Sequence, residues 1–482
     1  MSSSLSYIST RGVAPRLGFD DVLLAGLARD GGLYVPETWP RLTQDEIQSF
    51  AGEPFAELAV SIIGRFIGGA IARDDLSRMA REAYATFGHA AVTPLVQIDP
   101  ETFVLELFHG PTLAFKDVAM QLLARLMDHV LEKRGRRVTI VGATSGDTGG
   151  AAIEAFRGSR RCDVVILFPD GRVSDVQRRM MTTPTESNVH AVAIDGTFDD
   201  CQALVKAMFN DHAFRDRVHL AGVNSINWAR IVAQVTYYFA AATALGAPHR
   251  KVAFSVPTGN FGDIFAGHVA RRMGLPVADL IIASNDNDIL PRTLETGAYE
   301  MRDVVATSSP SMDIQISSNF ERYLFEASGR DDAYVRGLMG SLSQSRRFEV
   351  GRAVAEHMRR DFSARSASEA EVAQAIRKVK QDSAYLMDPH TACGYVAATA
   401  TAKAAAAQHE ACDRRVAKVI LSTAHPAKFP DAIERITGQR PPLPGRLSKL
   451  LTDPERFERL PNELAAIETF VEARARAVRE ET

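Results

Sequence analysis

From about residue 136, short runs rich in β-branched residues alternate with segments of helical periodicity. "RVTIVGA", "CDVVILFP", "NVHAVAID", "HLAGVN", "KVAFSVP", "DLIIAS" and, much later, "AKVILSTAHP" read as strands. "DTGGAAIEAF", "SDVQRRMMTT" and "TFDDCQALVKAMFND", the last with Thr197 as its N-cap, read as helices between them. Strands that are apolar along their whole length are buried on both faces. The pattern therefore predicts an α/β fold, doubly wound and mostly parallel, with helices on both faces and right-handed crossovers. Two glycine-rich turns follow strands of this series, and the reading puts both on one sheet.

At 482 residues the chain is too long for a single core. Residues 1–90 read as a small N-terminal domain and 91–330 as the α/β core. Residues 331–385 read as a helical, charge-rich insertion, 386–440 as a return to the core and 441–482 as a C-terminal extension. The basic pairs Arg346-Arg347 and Arg359-Arg360 read as a solvated face.

Charge removes one class of partner. With 56 basic and 59 acidic residues and no block of one sign, a nucleic-acid surface has no electrostatic support. Cys162, Cys201, Cys393 and Cys412 are scattered, which argues for reduced thiols in the cytoplasm and against a metal or disulfide framework. The opening "MSSSLSYISTRGVAP" has no apolar signal region. The long uncharged run at 231–248 is diluted by Gln234, Thr236, Tyr237 and Tyr238, so it reads as a buried helix and no membrane is expected.

Four segments carry chemistry. "GATSGDTGGAA" (142–152) passes from strand to helix through small residues, which suits an anion at a helix start. It equally suits a tight turn capped by Asp147. "VPTGNFGDIFAGH" (256–268) repeats the arrangement, without G-x-G-x-x-G and without a Walker lysine, so neither nucleotide motif is present. "NSINWARI" (224–231) sets Ser225, Asn227 and Arg230 at the start of the long apolar helix. Arg230 there is either a helix-start salt bridge or a clamp for phosphate or carboxylate. "LSTAHPAKFPDAI" (421–433) places Thr423, His425 and Lys428 after a strand, at the edge where open α/β sheets bind ligands. His425 alone reads as a turn residue.

Lys116, in "HGPTLAFKDVAMQ", stands beside Phe115 at the head of an apolar helix, an unusual place for a lysine. Desolvation disfavours its ammonium form and makes the amine a better nucleophile toward a carbonyl. Together with two phosphate-ready loops, that points to an aldehyde cofactor bearing a phosphate, and pyridoxal phosphate satisfies both.

In chain order, "TRGVAP", "GLARDGGLYVPE", "ELFHGPTLAFKDVAMQ", "VGATSGDTGGAA", "NSINWARI", "VPTGNFGDIFAGH", "MDPHTACGYVA" and "LSTAHPAKFP" resemble the threonine synthases in their longer bacterial and fungal form. The resemblance covers nearly the whole chain. It implies a fold-type-II pyridoxal-phosphate enzyme, similar to the tryptophan synthase β-subunit and serine dehydratases. It also implies conversion of O-phospho-L-homoserine and water to L-threonine and phosphate, in a monomer or homodimer.

Carried over by position, Lys116 would hold the cofactor covalently. Gly259, Asn260, Phe261, Gly262 and Asp263 would cradle its phosphate through backbone N–H groups. Thr423 would face the pyridine nitrogen and Asp147 the ring hydroxyl. Ser145, Gly146 and Thr148 would take the substrate carboxylate; Ser225, Asn227 and Arg230 its phosphate, with Lys428 a further candidate. Many related enzymes have Asn where this chain has Asp147. A neutral Thr423 would not hold the pyridine ring protonated. The rival readings are a phospholyase of similar sequence that releases an oxo-acid, a non-catalytic protein on the same scaffold, and a nucleotide-binding module.

Overall fold

A computed structural model describes residues 5–407 and 416–479. Cys412, the first four residues and the end of the alanine-rich tract lie outside the described residues. The other three cysteines are free and buried.

The strand series is divided between two sheets. One has six strands in the order Ser363–Ser366, Val277–Ser284, Val252–Pro257, Ala417–Ser422, Thr102–Glu106 and Leu95–Gln97. All its pairings are parallel except the last. The other has five parallel strands in the order Glu458–Leu460, Val189–Ile194, Cys162–Pro169, Val138–Ala143 and Leu220–Ala221. Cys162–Pro169 and Val252–Pro257 are buried at every position, as strands covered on both faces must be.

The two glycine-rich turns therefore do not share a sheet. The turn after Val138–Ala143 belongs to the five-stranded sheet and the turn after Val252–Pro257 to the six-stranded one. Alternation of strands and helices along a chain reports each strand's burial, not which neighbour it pairs with. Likewise the 331–385 segment is not all helix. Between the helices Arg352–Asp361 and Glu369–Ser383 it supplies Ser363–Ser366, the edge strand of the larger sheet.

The uncharged run forms the helix Trp228–Ala244, nearly all of it buried. Tyr238 meets Phe254 of the larger sheet edge-on, with ring centroids 4.9 Å apart. Trp228 at its head stacks among Tyr7, Trp39 and Phe66 of the N-terminal region. The N-terminal segment thus shares one hydrophobic cluster with the core. Among the described residues no helix is long and apolar enough to cross a membrane.

Candidate active site

Lys116 is the first residue of the helix Lys116–Arg134 and is only 8% exposed. Two strands of chain hold it in place. Residues 113–115 run antiparallel to 423–425: the Phe115 N–H donates to the Thr423 carbonyl at 2.8 Å, and the His425 N–H to the Leu113 carbonyl at 3.0 Å. The preceding turn is tied by Asp117, whose carboxylate accepts from the Thr112 N–H and hydroxyl at 2.7 and 2.6 Å. The lysine and the end of strand Ala417–Ser422 are in this way one rigid unit.

The lysine ammonium lies 4.9 Å from the Phe115 ring centroid and 3.3 Å from Asp147 Oδ2. Burial lowers its pKa, Asp147 opposes that shift, and Lys428 and Arg230 reinforce it. Asp147 is the hub. Its Oδ1 receives Lys428 Nζ at 2.6 Å and Gln177 Nε2 at 3.0 Å. Its Oδ2 receives Lys116 and the Ser311 hydroxyl, the latter at 3.1 Å. Burial alone would raise the Asp147 carboxyl, but Lys428 and Lys116 hold it well below the ordinary carboxylate value. Lys428, expected at the substrate phosphate, is instead 1% exposed and bound to Asp147 and the Thr112 carbonyl, the latter at 2.9 Å.

Asp147 opens the helix Asp147–Phe156 behind Gly146, whose φ of 140° no side chain tolerates well. The Thr144 hydroxyl accepts from the N–H groups of Gly146 and Gly149, both at 2.9 Å. Gly146 therefore has no free N–H for a substrate carboxylate, whereas Ser145 and Thr148 have no such internal partner among the described residues.

The second turn sits opposite. Gly259 and Asn260 have their carbonyls taken by Ser317 and Asn319: Ser317 Oγ donates at 2.7 Å, and the Asn319 N–H and Nδ2 donate at 3.0 Å. Among the described residues nothing accepts from the N–H groups of Asn260, Phe261 and Gly262, which head the helix Gly262–Arg272. Phe261 is held at φ 63°, a costly conformation for a non-glycine residue, by its packing on Phe320 and Phe362. A Cβ at Gly259 would stand 2.9 Å from the Ser311 carbonyl oxygen, so the turn is closely fitted. The Asp263 side chain points away: its Oδ1 accepts from Tyr237 at 2.5 Å and Tyr238 at 2.9 Å.

Arg230 is 3% exposed, and among the described residues its side chain makes one hydrogen bond, to the Val223 carbonyl at 3.2 Å. Its Nε has no acceptor, and among the described residues no carboxylate pairs with it. The surface salt bridge is therefore excluded, and a buried cation is left without a counter-ion. Asn227 caps the helix, accepting from the Ala229 N–H at 3.0 Å and donating to the Leu23 carbonyl at 2.9 Å. Both polar atoms of its amide are thus engaged, and Ser225 lies beside it, half-buried. Thr423 is buried at the end of the strand.

Gln177 and Ser311 were missed from sequence. Gln177 was legible: with Ser174 it forms a capping box, and the same side chain reaches Asp147. Ser311 lies in a stretch without periodicity, and nothing in the sequence marks it.

Residues 86–421 match the family described as pyridoxal-phosphate dependent enzyme, 6–84 the threonine synthase N terminus and 391–471 the threonine synthase C-terminal family. The threonine synthase of Pseudomonas aeruginosa is 52% identical, over 97% of this chain and 98% of its own. The chain belongs to the threonine synthase family. A PLP-bound threonine synthase structure from Brucella melitensis superposes with a TM-score of 0.94 at 58% identity, covering 98% of this chain and 100% of that one. The yeast threonine synthase does so at 0.90 and 40% identity, covering 98% and 99%. The fold is thus that of the type II pyridoxal-phosphate enzymes, acting on a small molecule.

The site fits the cofactor of that family on its own terms. A desolvated amine, a helix start with free N–H groups and a closely fitted glycine turn supply one attachment for an aldehyde and one for a phosphate. Among the described residues there is no cluster able to hold a metal ion.

Proposed function

We propose that this threonine synthase converts O-phospho-L-homoserine and water to L-threonine and phosphate in the cytoplasm, as a monomer or homodimer. The observation that carries the reading is the unpaired, buried Arg230 near Lys116, since a substrate dianion supplies the missing counter-ion.

Lys116 holds the cofactor, and its neighbours on Asp147 keep the amine oriented. The backbone of Gly259, Asn260, Phe261, Gly262 and Asp263 takes the cofactor phosphate at the helix start. Thr423 would face the pyridine nitrogen and Asp147 the ring hydroxyl of the bound cofactor. The substrate carboxylate lies against Ser145 and Thr148, with Gly146 shaping the turn rather than donating. Its phosphate lies against Ser225 and Arg230, at a helix start fixed by Asn227. Lys428 serves as the counter-ion of Asp147.

When bound, pyridoxal phosphate supplies an electron sink for charge released at the substrate carbons. The Lys116 amine would take the proton from the substrate α-carbon and stay beside the reacting atoms. A second proton leaves the β-carbon, Arg230 would oppose the charge of the departing γ-phosphate, water adds its hydroxyl at the β-carbon, and protons return to the γ- and α-carbons. The test is to incubate the purified protein with O-phosphohomoserine and assay phosphate and threonine together. Equal amounts of both are expected; phosphate with an oxo-acid and no threonine would refute the reading.

A further inference from the structure

The segment "MDPHTACGYVA" has no part in the chemistry above, yet its first residues reach toward the lysine. Asp388, fully buried, caps the helix Pro389–Ala407: its Oδ2 accepts from the His390 N–H at 3.0 Å and its Oδ1 from the Thr391 N–H at 3.1 Å. Capping asks nothing of the His390 side chain. That side chain nevertheless has two partners, Asp388 Oδ2 2.7 Å from its Nδ1 and the Ser311 N–H, which donates to its Nε2 at 3.2 Å. A backbone N–H only donates, so Nε2 carries the lone pair and Nδ1 the proton, a tautomer the Asp388 carboxylate fixes.

Ser311 is thereby pinned by its backbone, and its hydroxyl meets the same Asp147 oxygen as Lys116. Each Asp147 oxygen takes one ammonium and one neutral donor, but unequally: Lys428 stands at 2.6 Å and Lys116 at 3.3 Å. We propose that His390 is a positioning residue: held by Asp388, it fixes Ser311 so that the serine hydroxyl shares Asp147 Oδ2 and keeps the Lys116 ammonium from closing onto that oxygen. A tight ion pair would keep Lys116 protonated and inert toward a carbonyl; a shared oxygen leaves the amine easier to free. The other charges facing Lys116 are Lys428 and Arg230, and Asp313 joins Asp388 beside His390. None of these is altered in the variants below. The proposal rests on Lys116 being the lysine that holds the cofactor.

The test reads Lys116 directly. The full-length chain, freed of cofactor, is mixed with pyridoxal phosphate across about pH 6 to 10 and quenched with borohydride after a short fixed time, and the label on the Lys116 peptide is quantified. Ser311→Ala and His390→Asn should each raise the pH midpoint of labelling by about 1–2 units, the effect of one hydrogen bond to a charged group. The double variant should shift no further than either alone. His390→Gln, which offers an acceptor near the Nε2 position, should return the midpoint close to that of the unsubstituted chain.

A purely structural histidine would lower Tm and leave the midpoint alone. An unmoved midpoint in Ser311→Ala, or additive shifts in the double variant, overturns the proposal. If His390→Asn does not fold, Ser311→Ala, which deletes one oxygen, decides by itself. If the unsubstituted chain takes no label on Lys116, the cofactor reading fails instead.

Discussion

Replacing Arg230 by methionine distinguishes two kinds of buried arginine. Removing a structural cation from its carboxylate partner costs about 3–5 kcal/mol, because the partner is left uncompensated. Arg230 has no such partner. Burial lowers its guanidinium from the ordinary arginine value to about 10. At about 1.4 kcal/mol per pKa unit, holding the charge there costs roughly 3 kcal/mol, and that cost is constant at every pH well below 10. Methionine removes the charge and refills most of the volume, so the ligand-free protein should keep its stability or gain up to about 2 kcal/mol, a few degrees in Tm. In the proposed role the same change deletes a two-pronged donor to the substrate phosphate. At about 1.5–3 kcal/mol for each hydrogen bond to a charged group, kcat/KM for O-phosphohomoserine should fall by roughly 10²–10⁴. Calorimetry of the ligand-free protein and steady-state kinetics measure the two halves. Arg230→Lys should recover only part of the rate, having charge without the planar fork. A loss of more than about 2 kcal/mol of stability with near-normal kcat/KM would make Arg230 a structural cation and refute the reasoning.

Further outcomes are expected. Borohydride reduction followed by peptide mapping should place the pyridoxyl group on Lys116, and Lys116→Ala should abolish turnover without lowering Tm, since it removes a buried charge. Asp147→Asn should cost about 3–5 kcal/mol in urea unfolding, because Lys428 is left buried without its counter-ion. Gly259→Ala should weaken cofactor retention in equilibrium dialysis at least about tenfold, since its Cβ meets a backbone oxygen that cannot swing aside. Asp263→Asn, whose side chain faces the tyrosines, should leave retention within about twofold. Burial raises the Asp263 carboxyl from 3.8 to about 7, against its two tyrosine hydrogen bonds. The native state therefore binds the extra proton between those values, and stability falls as pH rises through them, by at most about 4 kcal/mol. Asp263→Asn should flatten that part of the curve, as urea midpoints at about pH 5 and pH 7.5 would reveal.

The strands and the four chemical segments were legible because each depends on local pattern. Val252–Pro257 is apolar at every position but Ser255 for the same reason that it is buried on both faces, and the helix starting at Phe198 announces itself through Thr197. What could not be read was how distant pieces meet. Lys428 looked like a phosphate ligand because it is a cation at a strand end; only the fold brings it against Asp147 and the Thr112 carbonyl. Tyr237 and Tyr238 looked like polar dilution of an apolar run, and they are the partners of a buried acid. The division into two sheets was hidden because Ala417–Ser422 enters between two strands, Val252–Pro257 and Thr102–Glu106, that lie far before it in the chain.

That late strand has a consequence for how the protein is made. Ala417–Ser422 lies between Val252–Pro257 and Thr102–Glu106, so until it emerges each of those strands presents an open, apolar, hydrogen-bonding edge. At about 5–20 residues per second, the ribosome needs roughly 15–60 s to travel from Glu106 to Ala417. Throughout that interval the nascent chain carries Lys116 on a helix whose anchoring partner, residues 423–425, has not been synthesised. The reactive lysine is therefore assembled among the last events of synthesis, and a chain interrupted before residue 417 has two sticky edges and no active site.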